Sequence, residues 1–184
     1  MPQIQSQLDP HSEAFARNRA AMLAAIEQVQ QLEQNLLNKA AEAKPKFDKR
    51  GQLLPRERLN LLLDPGAPFL ELASLAGYKL HDDKDGSSAG GGLIAGIGYV
   101  SGVRALIVAN NSAIKGGTIS PSGLKKSLRL QQIAQENKLP VITLAESGGA
   151  NLNYAAEIFV EGARSFANQA RMSAMGLPQI TVVH

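Results

Sequence analysis

A chain of 184 residues with 44% hydrophobic residues is long enough for one ordinary domain with a sizeable core, and with only 4% aromatic residues that core must be mostly aliphatic. The 19 basic and 16 acidic residues are interspersed, so the net charge of +3 does not indicate a nucleic-acid-binding surface. The absence of cysteine excludes disulfides, a thiolate nucleophile and thiolate metal ligands, and no stretch resembles a signal peptide or a membrane span, so we expect a cytoplasmic protein.

The N-terminal segment is predicted to form a long helical arm. Asp9 precedes Pro10, a proline suited to the first helical position, so we expect the helix to start there. Apolar residues then recur at spacings of three, four or seven and form one stripe, made of Phe15, Met22, Ile26, Val29, Leu32 and Leu36. We expect residues 1–45 to be an arm whose stripe packs on the domain or on a second subunit, rather than a coiled-coil tether.

Residues 46–88 are predicted to lead into the domain as a linker and a helix. The basic stretch over residues 44–58 is broken by prolines and a glycine, and it forms either a solvated face or a contact with ligand phosphates or a partner. A helix over residues 56–63 and a short strand over residues 69–72 follow. Residues 81–88 contain no apolar side chain and are predicted as a surface loop, whose histidine and aspartates match no metal-binding spacing.

The remaining chain predicts an α/β domain. Two apolar runs, residues 93–99 and 103–109, flank a short turn and predict a β-hairpin. A helical pattern over residues 122–137 and a strand after Pro140 complete a strand, helix, strand unit. A second helix over residues 157–175 and a strand over residues 180–183 follow. Because the sequence stops on an apolar strand, we expect it to be the first part of a longer polypeptide.

The candidate site is the loop that follows the strand after Pro140. Gly148 and Gly149 have no side chain to keep a ligand from the backbone. If their N–H groups converge at the positive end of the following helix, they would stabilise an oxyanion or bind a phosphate; an ordinary strand-to-helix turn is the other interpretation. A serine hydrolase is not supported, because Ser147 lacks the first glycine of a nucleophile elbow and the histidines stand only at positions 11, 81 and 184.

Glycine runs at residues 90–92 and 116–117 do not predict nucleotide binding. They lack the lysine and serine pair of a P-loop, and their spacing differs from the dinucleotide fingerprint.

Short motifs after about residue 45 occur in one order. They are LPRERL (54–59), LLLDPG (61–66), GIG (96–98), IVAN (107–110), KGGT (115–118), ESGGAN (146–151), NQ (168–169) and MSA (172–174). This collinear set resembles the β subunit of biotin-dependent acyl-CoA carboxylases, at the beginning of the carboxyltransferase domain.

The resemblance implies a crotonase-like (ClpP/crotonase) ββα fold, here as the incomplete N-terminal half of a carboxyltransferase, with residues 89–184 as the first part of its N domain. In that family, backbone N–H groups hold the thioester carbonyl of an acyl-CoA while carboxyl is transferred from carboxybiotin, and the biotin ureido group is the base. The amides of Gly148, Gly149 and Ala150 are therefore the catalytic candidates. The candidates for binding substrate and CoA are Lys115, Gly116, Gly117, Thr118, Ser147, Asn151 and Gly162.

The resemblance also implies partners. Biotin is carried on an α subunit, which uses ATP and Mg²⁺, and the β subunits form a homo-oligomer; no metal is expected in this chain. Family members continue into a Gly-Gly turn with further oxyanion donors and into a second, similar domain. Residues 1–184 alone are therefore expected to be inactive.

Two positions bear on the substrate. Asn151 stands where propionyl-type enzymes carry arginine, which resembles the methylcrotonyl and geranyl branch. Gly162 stands where methylcrotonyl enzymes carry phenylalanine, and loss of the ring would open room for a longer acyl tail. Geranyl-CoA is thus the leading substrate, carboxylated at the γ carbon, and 3-methylcrotonyl-CoA is the alternative. The other interpretations are that Gly162 only interrupts a helix, or that the chain is a non-catalytic acyl-CoA-binding or assembly module.

A third possible branch is that of the acetyl-CoA carboxylase carboxyltransferases. Members of that branch usually carry a cysteine-rich zinc element, and this chain has no cysteine. The branch is therefore not expected here.

Overall fold

A computed structural model describes residues 6–183 and begins with a long helix, α1, at Glu13–Ala41. Its cap is Ser12, whose Oγ accepts a hydrogen bond from the Phe15 N–H at 3.2 Å. The predicted start at Asp9 is therefore wrong. The Asp9 carboxylate instead accepts the His11 N–H at 2.9 Å, which closes a turn before the helix.

The apolar stripe of α1 is fully buried only near its C-terminal end. Leu36 and Ala40 are buried there, and Glu33 accepts a hydrogen bond from the Ser74 hydroxyl at 2.6 Å. Further towards the N-terminus, Met22 is 63% exposed and Ile26 43% exposed. Within residues 6–183 the arm therefore packs on the domain through its last turns.

The stretch predicted as a basic linker is folded. It contains a short helix that was not predicted, α2 at Lys44–Asp48, and the helix predicted over residues 56–63 is confirmed as α3 at Pro55–Leu62. Phe47 anchors α2 in the core at 3% exposure, a tertiary contact that no local pattern reveals. Three of its basic residues form ion pairs: Lys44 with Asp48 and Glu57, Arg56 with Glu71, and Arg58 with Glu146. The other three, Lys46, Lys49 and Arg50, are exposed, in agreement with a solvated face. A contact of this stretch with ligand phosphates or a partner stays a prediction.

A five-stranded sheet forms the centre of the domain, in the order β1-β2-β3-β4-β5. β2 pairs antiparallel with both β1 and β3, and β4 pairs parallel with both β3 and β5. Helix α4 connects β3 to β4, and α5 connects β4 to β5, so the predicted hairpin and strand, helix, strand unit are confirmed. The bounds are β1 Leu70–Glu71, β2 Leu93–Val100, β3 Val103–Asn110, α4 Pro121–Asn137, β4 Val141–Ala145, α5 Ala155–Ala174 and β5 Gln179–Val183.

The two faces of the sheet have separate cores, because side chains alternate along each strand. On one face Ile107 and its neighbours pack against Leu59 of α3. On the other, Leu106 packs with Leu130 of α4 and Met172 of α5. This places the helical layer of α4 and α5 over the parallel strands and leaves the carboxyl ends of β3 and β4 side by side at one edge.

The loop over residues 81–88 is only partly a surface loop. Asp83 is 5% exposed, and its carboxylate accepts hydrogen bonds from the Lys79 N–H at 2.9 Å and from the Ser88 N–H and hydroxyl at 2.8 Å each. A buried carboxylate that gathers three donors gives the loop a fixed shape. The loop was predicted from its polar composition, which does not reveal this internal anchor.

None of the helices between residues 6 and 183 combines the length and apolar character that crossing a bilayer requires.

Candidate functional site

Two glycine-containing loops meet where β3 and β4 end. One contains a 3₁₀ turn at Lys115–Gly117, and the other comprises residues 146–154 between β4 and α5. The second loop includes a 3₁₀ turn at Leu152–Tyr154 before α5 begins at Ala155. Gly148 and Gly149 consequently lie several residues before the first turn of α5, so their placement does not depend on the end of that helix.

The two loops touch backbone to backbone, and the contact requires glycine. A Cβ on Gly117 would stand 2.7 Å from the carbonyl oxygen of Glu146. A Cβ on Gly148 would stand 2.9 Å from the carbonyl oxygen of Gly116 and 2.9 Å from Oγ1 of Thr118. Real Cβ atoms do not approach other atoms so closely, so alanine at either position would push the loops apart.

Hydrogen bonds fix the loops in this register. Ile119 donates its N–H to the Gly149 carbonyl at 2.9 Å, and Asn151 donates its N–H to the Ile119 carbonyl at 3.0 Å, which forms an isolated parallel bridge around Ala150. The Ser147 hydroxyl lies 3.4 Å from the Gly117 carbonyl. The structure therefore brings together the sequence-predicted residues of the two motifs, 115–118 and 147–151.

The three amides predicted as oxyanion donors are not equivalent. The Gly149 N–H donates to the Ser147 Oγ at 3.0 Å. For the amides of Gly148 and Ala150, the described residues provide no acceptor at hydrogen-bonding distance. Gly148 is exposed and Ala150 partly so. Two backbone donors at this surface are thus available to a ligand oxygen.

The Lys115 loop has an unusual backbone. Lys115, Gly116 and Gly117 all have positive φ angles, of 48°, 63° and 71°. This left-handed conformation suits the two glycines and is strained for the lysine. It presents the Lys115 side chain towards residues 81–83, where its Nζ donates to the Asp82 carbonyl at 3.0 Å.

Asp82 also receives donors from the loop after β4. Its carboxylate accepts hydrogen bonds from the Tyr154 hydroxyl at 2.9 Å and from Nδ2 of Asn151 at 2.8 Å. These two bonds hold the pKa of the Asp82 carboxyl below its usual value, and the bond to Asp82 raises the pKa of the Tyr154 hydroxyl. Asp82 and Tyr154 were not predicted as site residues, because the contacts join positions 69 and 72 residues apart.

A small cavity of about 50 Å³ lies between these segments. His81, Asp82, Lys115, Thr118 and Asn151 contribute to its wall. His81 also packs edge-on against the Tyr154 ring, with 5.0 Å between ring centroids. Within residues 6–183 no group of three histidine, aspartate or glutamate side chains is arranged to hold a metal ion.

A second cavity of about 270 Å³ lies between the sheet and the two helices of its α4 and α5 face. Ser147 and Ile119 border it near the loops, and Met172 and Ile180 border it further along the strands. Apolar and polar residues contribute to its wall in equal number, so the predicted site adjoins apolar as well as polar surface.

Gly162 lies apart from the loops. It is in the middle of α5, where a Cβ would meet Cδ1 of Leu124 in α4 at 3.9 Å, an ordinary contact distance. Neither of the two cavities that border the loops has Gly162 in its described wall. Its predicted role in the acyl pocket stays a prediction.

Lys126 is a buried charge that sequence analysis missed. Its side chain is 5% exposed and donates to the carbonyl oxygens of Leu93 at 2.7 Å and Gly90 at 3.3 Å. Burial lowers the pKa of Lys126 to about 8, only partly opposed by Glu71. The lysine ties α4 to the glycine run that borders the small cavity.

The sequence matches the family described as the carboxyl transferase domain over residues 46–184. The β subunit of P. aeruginosa geranyl-CoA carboxylase, known from a crystal structure, is 76% identical in sequence to this chain. The two structures superpose with a TM-score of 0.91, and the match covers 100% of this chain and 34% of that one. The biotin-dependent 3-methylcrotonyl-coenzyme A carboxylase β1 subunit of Mycobacterium tuberculosis is 50% identical over 144 residues, which are 77% of this chain and 27% of that protein.

The methylcrotonoyl-CoA carboxylase β chain, mitochondrial, of Dictyostelium discoideum is 44% identical over 180 residues, which are 96% of this chain and 30% of that protein. The chain thus spans about a third of the length of the relatives that it matches. Its mixed sheet and helical layer have the crotonase-like fold of carboxyltransferases, as predicted. From its motifs, its fold and these matches, the chain belongs to the carboxyl transferase domain family.

Proposed function

We propose that the chain is the carboxyltransferase part of a geranyl-CoA carboxylase β subunit, which transfers carboxyl from carboxybiotin to the γ carbon of an unsaturated branched acyl-CoA. The observation that carries this proposal is the 76% identity with the P. aeruginosa geranyl-CoA carboxylase β subunit along the whole chain. The methylcrotonyl relatives are 44% and 50% identical. The difference in identity favours geranyl-CoA over 3-methylcrotonyl-CoA.

The two loops supply the chemistry of this chain in the proposal. The thioester oxygen of the acyl-CoA binds to the amides of Gly148 and Ala150, with the Gly149 amide joining when Ser147 turns away. Negative charge develops on that oxygen as the γ proton leaves, and one well-aimed donor contributes about 3 kcal/mol to its stabilisation. These amides need no side chain and no proton exchange, which fits a loop surface built from backbone donors.

The biotin of the partner subunit supplies the carboxyl group and accepts the proton. The exposed position of Ser147, Gly148 and Gly149 fits this assignment, since a second reactant must approach the same loop. In this chain, the KGGT loop and Asn151 bind the CoA thioester, with the Lys115 ammonium near the polar part of the ligand and the Gly116 and Gly117 backbone close to it.

The proposal includes the remaining partners. The biotin-carrying α subunit uses ATP and Mg²⁺, the β subunits form a homo-oligomer, and the assembly works in the cytoplasm. Residues 1–45 serve as the helical arm of the β subunit, with the apolar stripe around Met22 and Ile26 exposed in the isolated chain.

Transfer of labelled bicarbonate tests the proposal. The full reading frame that contains this sequence, hereafter the parent chain, is assembled with its biotinylated partner, ATP and Mg²⁺. Label fixed into geranyl-CoA is compared with label fixed into 3-methylcrotonyl-CoA. Preference for geranyl-CoA is expected. Preference for 3-methylcrotonyl-CoA would assign the sister activity, and no fixation into either, with acyl-CoA still bound, would leave a binding or assembly module.

A further inference from the structure

Asp82 joins three segments of the candidate site. Its backbone carbonyl accepts Nζ of Lys115 at 3.0 Å, and its carboxylate accepts Nδ2 of Asn151 at 2.8 Å and the Tyr154 hydroxyl at 2.9 Å. Lys115 belongs to the KGGT loop, Asn151 ends the ESGGAN motif, and Tyr154 immediately precedes α5. One residue from a third loop therefore contacts both glycine loops.

The loop that carries Asp82 is rigid enough to act in this way. The neighbouring Asp83 carboxylate is buried and accepts three hydrogen bonds, from Lys79 and twice from Ser88. This anchor fixes the backbone on which Asp82 stands. The Asp82 side chain itself lies at the surface, beside the small cavity whose wall it shares with Lys115 and Asn151.

Asp82 contacts the part of the ESGGAN loop that the rest of the domain holds least. The beginning of the loop is fixed by the bond from the Glu146 N–H to Oδ1 of Asn110 at 3.2 Å, and the middle by the bridge to Ile119. Between that bridge and α5, the described side-chain bonds that reach outside the loop are those to Asp82. The short-range bond from the Asn153 N–H to Oδ1 of Asn151 is internal.

The chemistry of the contact suits an ionised carboxylate. An amide Nδ2 and a phenolic hydroxyl both donate here, and a carboxylate offers two acceptor oxygens without a competing donor. An asparagine at position 82 could accept from Asn151 and donate its amide to the Tyr154 hydroxyl, but both bonds would lose the charge of the carboxylate. Aspartate and asparagine at position 82 therefore differ in how strongly they hold Asn151 and Tyr154.

We propose that Asp82 is a positioning residue, which holds Asn151 and Lys115 in the relative arrangement that binds the acyl-CoA. The proposal rests on the function proposed above. It does not give Asp82 contact with the reacting atoms. Its removal should therefore weaken binding of the acyl-CoA, while the carboxylation of biotin on the partner subunit continues as before.

The kinetic test compares Asp82→Ala, Asp82→Asn and wild type in the parent chain assembled with its biotin-carrying partner. We expect D82A to raise KM for acyl-CoA about tenfold, as loss of bonds to a charged acceptor implies, and D82N to raise it less. The kcat and the KM values for ATP and bicarbonate should stay close to wild type. Asp85→Ala is the matched control, because it removes an aspartate from the same loop, and among the described residues the Asp85 side chain bonds only to nearby Ser87.

Hydrogen exchange of the assembled enzyme without substrate gives a readout that does not depend on activity. In D82A, the amides of residues 151–156 should exchange faster than in wild type and in D85A. Unchanged exchange would overturn the proposal, as would an unchanged KM or a fall in kcat without a rise in KM. If wild type carboxylates no acyl-CoA, the proposed function fails, and the exchange measurement still shows whether Asp82 holds the loop.

Discussion

Arg58 of α3 and Glu146, the first residue after β4, form an ion pair with 3.3 Å between Nη1 and Oε2. Their side chains are only 12% and 18% exposed. The pair joins the LPRERL motif to the ESGGAN motif across 88 residues of sequence. It fixes the start of the loop that carries Gly148, so a contact on the far side of the sheet supports the candidate site.

Removal of one partner should leave the other charge poorly solvated. We expect Arg58→Gln to destabilise the parent chain by about 2 to 4 kcal/mol and to lower kcat/KM for acyl-CoA, because Glu146 then keeps only its backbone bond to Asn110 as a contact that holds the start of the loop. Thermal unfolding and steady-state kinetics measure the two effects. Arg104→Gln is the control, since Arg104 is an exposed arginine on β3. Equal behaviour of the two variants would show that the ion pair does not support the loop.

The lowered pKa of Lys126 predicts that the free energy of unfolding depends on pH. Its pKa is about 8 in the folded chain and returns to the ordinary value of 10.5 on unfolding. Between these values the unfolded chain binds more protons, so the contribution of Lys126 to stability rises with pH. From pH 7.5 to pH 10 the gain is about 2 kcal/mol.

Comparison with Lys126→Met isolates this contribution. The Tm of wild type minus that of K126M should increase as the pH rises from 7.5 to 10. The neighbouring exposed Lys125 provides the matched variant, Lys125→Met, whose Tm difference from wild type should stay constant. A difference for K126M that does not vary with pH would contradict the lowered pKa.

Substitution of Gly162 should change the preference between the two acyl-CoA substrates. We expect Gly162→Phe to lower kcat/KM for geranyl-CoA about tenfold or more relative to 3-methylcrotonyl-CoA, because a ring would occupy the room needed by the longer tail. Label fixation with the two thioesters measures the ratio. An unchanged ratio would assign Gly162 to helix packing alone.

Gly162→Ala separates packing from specificity at the same position. Its Cβ would make an ordinary contact with Leu124, and alanine in a helix interior is favoured over glycine by about 1 kcal/mol. We therefore expect a higher Tm for G162A. A lower Tm would show that α4 and α5 pack more closely here than the 3.9 Å distance indicates.

Local patterns were sufficient for most of the fold. The hairpin of β2 and β3 and the parallel pairing of β3 with β4 follow from apolar runs and one helical repeat, and both are confirmed. Helix α2 was missed because its stability comes from burial of Phe47, a tertiary effect. The start of α1 was misplaced because Asp9 and Ser12 are both good caps, and the Asp9 carboxylate is taken by His11.

The part of the candidate site that is formed by the backbone of the two loops was predictable from the sequence. The sequence shows glycine at positions 117 and 148, and the close contact between the two loops explains why these positions need glycine. The side chains around the loops were not predictable. Asp82 and Lys126 acquire their partners only when distant segments fold together, and a polar loop or an amphipathic helix gives no sign of either.

The most direct test of the account is the kcat/KM for acyl-CoA of Gly148→Ala in the assembled enzyme. An alanine Cβ would collide with Gly116 and Thr118, displace the donors, and lower kcat/KM about 100-fold or more. Gly102→Ala is the control, because its Cβ has open space in the hairpin turn, although the φ of Gly102, 75°, is unfavourable for alanine and Gly148 has no positive φ. We predict near wild-type kcat/KM for G102A. If G148A retains wild-type kcat/KM, the two loops are not the thioester site.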